Sequence, residues 1–222
     1  MNPKNLTCDI LIPTYNRKKF IKLIEHNINT QDYPFIKNII IADDGDDDEY
    51  LDINTKYNIL YFKINRCSIG EKRNFLISKA RSKYICMMDT DDLYKPEYIS
   101  KSIFNLLYYG KDISGSSDMV IYDIKNHKTY LQRCIYSHLF NEATLVGLRS
   151  FFGYHKFKDS SNGEANEIFK YETHNIYHTD INNIMVCVAH SNNTVDKSIW
   201  FKENYEVKTD ELTKKILCDC NI

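Results

Sequence analysis

Four short apolar runs punctuate the first half of the chain, at residues 8–12, 38–42, 59–64 and 84–88, and none alternates strictly between apolar and polar positions. Unalternating runs of this length suit parallel strands covered on both faces. Between them the period changes. Phe20, Leu23, Ile24 and Ile28 recur at helical spacing, as do Ile99, Ile103, Leu106 and Leu107 behind Pro96, a favoured first-turn residue. Ser68 and Glu71 fit a capping box, which starts another helix directly after Ser68. This alternation predicts an α/β fold with a mostly parallel, Rossmann-like central sheet flanked by helices, and such sheets take ligands beyond the carboxyl ends of their strands. The second half is less regular. Residues 114–123 and 128–135, joined around Asn126 and His127, read as a hairpin; 164–171 and 210–218 read as short helices, and 182–190 contains a further strand. Nothing resembling a repeat or linker divides the chain, so one domain over 1–222 is expected, a parallel half to about 110 and a short mixed half beyond.

The candidate chemistry falls at the predicted strand ends. Asp89, Thr90, Asp91 and Asp92 follow the fourth strand, and three carboxylates there are costly without a cation or a specific partner. A hard divalent metal completed by phosphate oxygens is one such partner. Pro13 to Asn16 end the first strand and Asp43-Asp44-Gly45 the second. Tyr15 at such an edge can stack on a nucleobase, and a neighbouring carboxylate can accept an imide N–H. Lys72 and Arg73 occupy the first helical turn after Ser68, where the helix dipole disfavours cations, so something negative should offset them. Arg73 shares a stripe with Ile77 and Ala80 and so points toward the sheet. A nucleotide diphosphate would satisfy it, and so would a salt bridge to Asp89 or Asp91. The acidic run 43–49 lacks the spaced ligands and the glycine placement of a calcium loop.

Composition narrows the partners. Lys and Arg number 29 against 30 Asp and Glu, so no basic field points to nucleic acid. Seven cysteines without a CxxC pair suit reduced thiols better than a disulfide framework. Residues 1–5 lack the apolar stretch of a signal peptide, and no run reaches membrane-spanning length. A soluble, cytoplasmic protein is expected.

Taken together, CDILIPTYNR (8–17), IIIADDG (39–45), SIGEKRN (68–74) and YICMMDTDDLYKP (84–96) resemble the family-2 glycosyltransferases of the GT-A fold, which use nucleotide-sugar donors. The resemblance implies that residues to about 110 bind the donor and that the remainder carries the acceptor side and the base. It implies that Pro13, Tyr15 and Asp44 surround the base and that Arg17, Lys72 and Arg73 help hold the nucleotide. Asp89 and Asp91 would serve the ribose and the metal, with Asp92 close to the metal and donor sugar. VCVAHSNNT (186–194) is similar to a late family strand whose histidine approaches the metal, which adds His190 to Asp91 and Asp92 as ligands of Mn²⁺ or Mg²⁺. Residues 143–169 look like the segment that ends in the family's acidic base motif. Where relatives commonly show Glu-Asp, this chain has Glu164-Ala165, which leaves Glu164 or Glu167 to deprotonate the acceptor. The implied activity is inverting transfer from a nucleotide-diphosphate sugar, with UDP favoured, to a glycan, protein or small-molecule hydroxyl. The alternative is a catalytically impaired binding module that retains the donor pocket. A sugar-phosphate nucleotidyltransferase would want a Gly-rich loop after the first strand, and residues 13–17 contain no glycine.

Overall fold

The computed structural model describes residues 6–134, 139–191, 193, 197, 201, 205–208 and 210–222. Residues 1–5, together with Ile135, Asn192 and Thr194 of the segments above, lie outside them. The parallel half follows the predicted alternation: β1 (Cys8–Thr14), α1 (Ile21–Asn29), β2 (Ile36–Asp43), β3 (Asn58–Lys63), α2 (Ile69–Lys79), β4 (Tyr84–Met87), β5 (Leu93–Tyr94) and α3 (Tyr98–Tyr109). β3, β2, β1 and β4 lie side by side and parallel, so their carboxyl ends share one edge.

The pleat explains the unalternating runs. Ile10 and Ile12 of β1 pack into one apolar cluster with Leu23, Ile24 and Ile28 of α1 and Ile99, Ile103 and Leu106 of α3. Leu11, Ile40 and Ala42 face the other way, onto Leu76 and Ile77 of α2. With helices on both faces, every strand position profits from an apolar side chain. Asp9 is the exception in β1. Its fully buried carboxylate accepts the backbone N–H groups of Arg81 (2.8 Å) and Ser82 (2.9 Å) and the Asn38 amide (2.8 Å), tying the turn between α2 and β4 to the sheet.

The mixed half contributes β6 (Ile113–Gly115), β7 (Met119–Asp123), β8 (Lys128–Gln132), β9 (Val146–Leu148), α4 (Arg149–Tyr154), α5 (Asn166–Tyr171), β10 (Ile176–His178), β11 (Met185–Ala189), β12 (Glu206–Val207) and α6 (Glu211–Asp219). Among the described residues a seven-stranded sheet runs β10-β6-β9-β4-β1-β2-β3, with β9 antiparallel to its neighbours, and a five-stranded sheet runs β12-β8-β7-β11-β5. The expected hairpin is β7 and β8, but Ser114 belongs to β6 in the other sheet. Three-residue strands such as β9 and β10 are too short to show a period. The helix expected from Glu164 begins at Asn166, so Glu164 sits in the preceding turn rather than at a helix tip. The seven cysteines form no disulfide, and no helix among the described residues is long and apolar enough to cross a membrane.

The junction between the halves is close at Gly70. Its N–H donates to Ser160 O (2.9 Å), and a Cβ built there would lie 1.8 Å from Lys158 O. Gly70→Ala therefore forces backbone apart and should cost about 3 kcal/mol, a fall in Tm of roughly 6–12 °C. Thermal unfolding followed by circular dichroism measures it, and an unchanged Tm would contradict the packing described.

Candidate active site

Asp44, just past β2, is held by three donors. Lys72 of α2 pairs with Oδ1, Arg66 Nη1 reaches Oδ2 (2.7 Å), and Cys67 N–H adds a bond of 3.1 Å. Burial opposes ionisation of Asp44, but the hydrogen bonds from Lys72, Cys67 and Arg66 outweigh it and hold its carboxyl below the ordinary range. Lys72 also donates to Thr14 O (2.8 Å), which locks the end of β1 to α2. The Arg66 guanidinium lies 3.7 Å from the centroid of the Tyr15 ring, which is 39% exposed. Pro13, Tyr15, Arg17, Arg66 and Lys72 line a narrow cavity of about 110 Å³. Asp43 turns instead toward β3, accepting from Tyr61 Oη (2.6 Å).

Ser68 caps α2 as expected, with Glu71 N–H donating to Ser68 Oγ (3.2 Å) and Ser68 N–H to Glu71 Oε2 (3.1 Å). This orientation drives Arg73 inward, where it is 3% exposed. Arg73 Nη2 donates to Asp89 Oδ1 (3.2 Å) and Nε to Glu164 Oε1 (3.0 Å); Nη1 is buried without a hydrogen-bond partner in the described structure. A buried donor left in that state is costly and favours a ligand oxygen.

Each carboxylate of the acidic cluster faces a basic group from a distant element. Asp89 meets Arg73, Asp91 meets Arg17 Nε (3.3 Å), and Asp92 meets Lys197 Nζ (3.2 Å). The salt bridge from Arg73 to Asp89 that its spacing allowed is therefore formed, while the partners of Asp91 and Asp92 come from 74 and 105 residues away in sequence. His190, immediately after β11, brings Nε2 to 3.0 Å from Asp91 Oδ2 and packs its ring on Phe20. Burial works against the Asp91 charge, but the His190 hydrogen bond and the charges of Lys197 and Arg17 prevail and hold its carboxyl at about 2. Burial lifts Asp92 to about 6, despite Lys197. Asp92 Oδ1 accepts the Val188 N–H (2.9 Å), so this carboxylate is turned to β11 while Asp91 and His190 meet. No group of three or more His, Cys, Asp or Glu converges as metal ligands among the described residues.

A wider cavity of about 480 Å³ adjoins the narrow one, and the two share Ile69, Asp89, Asp91 and Ser161. Arg73, Asp92, Glu164, Glu142, Cys187 and Lys197 also line it. Glu164 is 4% exposed and lies in this cavity, whereas Glu167 is solvent-exposed and outside its lining. Arg66, Glu142 and Lys197 escaped the reading of the sequence. Arg66 could have been suspected as a cation just ahead of the capping box; the other two carry no local signal.

A mostly parallel sheet whose carboxyl edge opens on adjoining pockets beside an acidic cluster is the architecture of a GT-A nucleotide-sugar transferase domain. This chain belongs to glycosyl transferase family 2, whose family model matches residues 9–158. It is 28% identical over 95 residues to the poly(ribitol-phosphate) beta-N-acetylglucosaminyltransferase TarS of Staphylococcus aureus, covering 40% of this chain and 17% of TarS. It is 24% identical over 110 residues to glycosyltransferase GlyA of Streptococcus pneumoniae, covering 47% of this chain and 16% of GlyA. An uncharacterized glycosyltransferase of Rickettsia typhi, RT0329, is 30% identical over 125 residues, covering 54% of this chain and 39% of that one. The match thus spans well under two thirds of these relatives. The crystal structure of S. aureus TarS 1-349 superposes with a TM-score of 0.61 at 14% identity over 82% of this chain and 60% of that one, a likeness of fold.

The Asp44 environment sets a pH dependence. Its depressed carboxyl contributes stability that is present above the unfolded value, ordinarily about 3.9, and is lost as pH falls through the folded value. Asp44→Asn leaves the buried Lys72 ammonium unpaired and should cost about 3 kcal/mol at neutral pH. The Tm difference between parent and variant should shrink below about pH 4; a difference constant from pH 7 to pH 3 would contradict the assignment.

Proposed function

We propose that this chain is the donor-binding and catalytic domain of a metal-dependent, inverting glycosyltransferase that moves a sugar from a UDP-sugar to an acceptor hydroxyl. The observation that carries the reading is the pair of adjoining cavities joined at Asp89 and Asp91. The narrow one has room for a nucleobase alone, with Tyr15 as a stacking face and Asp44 behind Arg66 and Lys72; the wide one suits a sugar and its acceptor. Support also comes from TarS 1-349 solved in complex with UDP-GlcNAc, which superposes with a TM-score of 0.60 over 84% of this chain. Retention of these features together with Glu164-Ala165 keeps a donor-binding module as the rival reading.

The residues present fit a divalent ion in part. Asp91 and His190 offer a carboxylate oxygen and an imidazole nitrogen 3.0 Å apart, a donor set that suits Mn²⁺ or Mg²⁺ when phosphate oxygens complete the shell. Asp92 is turned toward β11, its Oδ1 accepting from Val188 N–H and Lys197, which leaves its other oxygen for the ion. The bound ion would offset charge on the leaving diphosphate. Arg73 offers its unpartnered Nη1 to a phosphate oxygen. The acceptor oxygen attacks the anomeric carbon, and its new bond replaces the one to the diphosphate. The electron pair leaves with UDP, and the acceptor proton passes to a carboxylate of the wide cavity. Glu164 is the sequence-indicated carboxylate that lies there; the exposed Glu167 is set aside.

Titration calorimetry with UDP tests the reading. Binding should require Mn²⁺ or Mg²⁺, and Asp91→Ala should weaken it by about 10–100-fold. Equal affinity with and without the ion, in parent and variant alike, would contradict the metal assignment.

A further inference from the structure

We propose that Glu142, rather than Glu164, takes the proton from the acceptor. This rests on the sugar-transfer reading above and names the base of that site. Ala165 stands where the family resemblance implies an aspartate. The carboxylate that reaches this position comes from elsewhere in the chain: Glu142 Oε1 accepts the backbone N–H of Ala165 at 3.2 Å. Glu142 thus brings a carboxylate to the head of α5, at the wall of the wide cavity, from the turn that precedes β9.

Glu164 is poorly placed for proton transfer although it lies nearby. Its Oε1 is bonded to Arg73 Nε at 3.0 Å and the side chain is 5% exposed. Protonating it would leave a buried guanidinium short of a counter-charge. Glu142 makes no ion pair among the described residues, and it is only half-buried.

The turn over Glu142–Thr144 is rigidly held, which is what a base needs. Asn141 Oδ1 accepts the Ala143 N–H (3.1 Å), and Thr144 Oγ1 donates to Asn141 O (2.6 Å). The Ser116 N–H reaches Thr144 Oγ1 (2.8 Å). From below, Tyr94 Oη and Tyr98 Oη donate to Ala143 O at 3.0 and 3.4 Å. The charged groups facing Glu142 are Glu164 ahead of α5 and Arg73 of α2, with Asp89 beyond the guanidinium. Burial first, then the Glu164 charge, pushes the Glu142 carboxyl up to about 7, with Arg73 opposing. A base is most effective when its proton affinity lies near the working pH.

The test measures UDP release by the full chain with Mn²⁺ and UDP-GlcNAc, UDP-glucose or UDP-galactose, water serving as acceptor, alongside UDP affinity by calorimetry. Glu142→Gln should bind UDP as the parent does and release it about 10²–10⁴-fold more slowly. The parental rate should rise with pH through an inflection near 7 that the variant lacks, and Glu164→Gln should move that inflection downward by removing a like charge. Formate should restore part of the rate lost in Glu142→Ala. A parental rate and pH profile in Glu142→Gln would overturn the assignment and leave the sugar-transfer reading standing. Loss in Glu142→Ala accompanied by weakened UDP affinity and unrelieved by formate would mark a structural role and overturn it as well. A parent that binds UDP but releases none from any of the three donors would overturn both.

Discussion

The Arg73 guanidinium links the two halves of this protein. Placed by the Ser68 cap on the first turn of α2, it reaches Asp89 past β4 through Nη2 and Glu164 past the Gly70–Ser160 junction through Nε. A cation that deep is tolerable only with its counter-charges in place, so the geometry of the sheet's carboxyl edge and of the turn ahead of α5 are set together. Burial resists its charge, yet Asp89, Glu164 and Glu142 raise its proton affinity above the ordinary arginine value. The remaining Nη1 has hydrogen-bonding capacity left for a ligand.

The same logic runs along the sheet edge. Lys72 with Asp44, Arg17 with Asp91 and Lys197 with Asp92 make a row of opposite charges at the ends of parallel strands. Such a row holds the edge together and presents both signs of charge to a ligand bound there. Asp91 and Asp92 show how strongly environment separates neighbours. The first is held at about 2 with His190, Lys197 and Arg17 outweighing its burial, and the second is lifted to about 6 chiefly by burial.

Much of this was legible in the sequence where local physics decides. The runs of β1 to β4 read as parallel strands because both faces are covered, and the Ser68–Glu71 pair read as a cap because its bonds lie within one turn. The inward course of Arg73 followed from its spacing to Ile77. What stayed hidden depends on distant segments meeting. Arg17 and Lys197 have no local feature that assigns them to Asp91 and Asp92, and β9 and β10 are three residues each. Glu142 looks like any polar residue before a short strand until the fold sets it against Ala165. The helix expected at Glu164 begins two residues later, which converts a supposed tip carboxylate into the partner of Arg73.

A crystal structure of the full chain with UDP and Mn²⁺ tests the donor-edge arrangement most directly. The arrangement predicts the uracil against Tyr15 with its imide toward Asp44, the diphosphate within hydrogen-bond reach of Arg73, and the ion between Asp91 and His190. A nucleotide bound elsewhere, or at this edge with its phosphates directed away from Arg73 and Asp91, would contradict it.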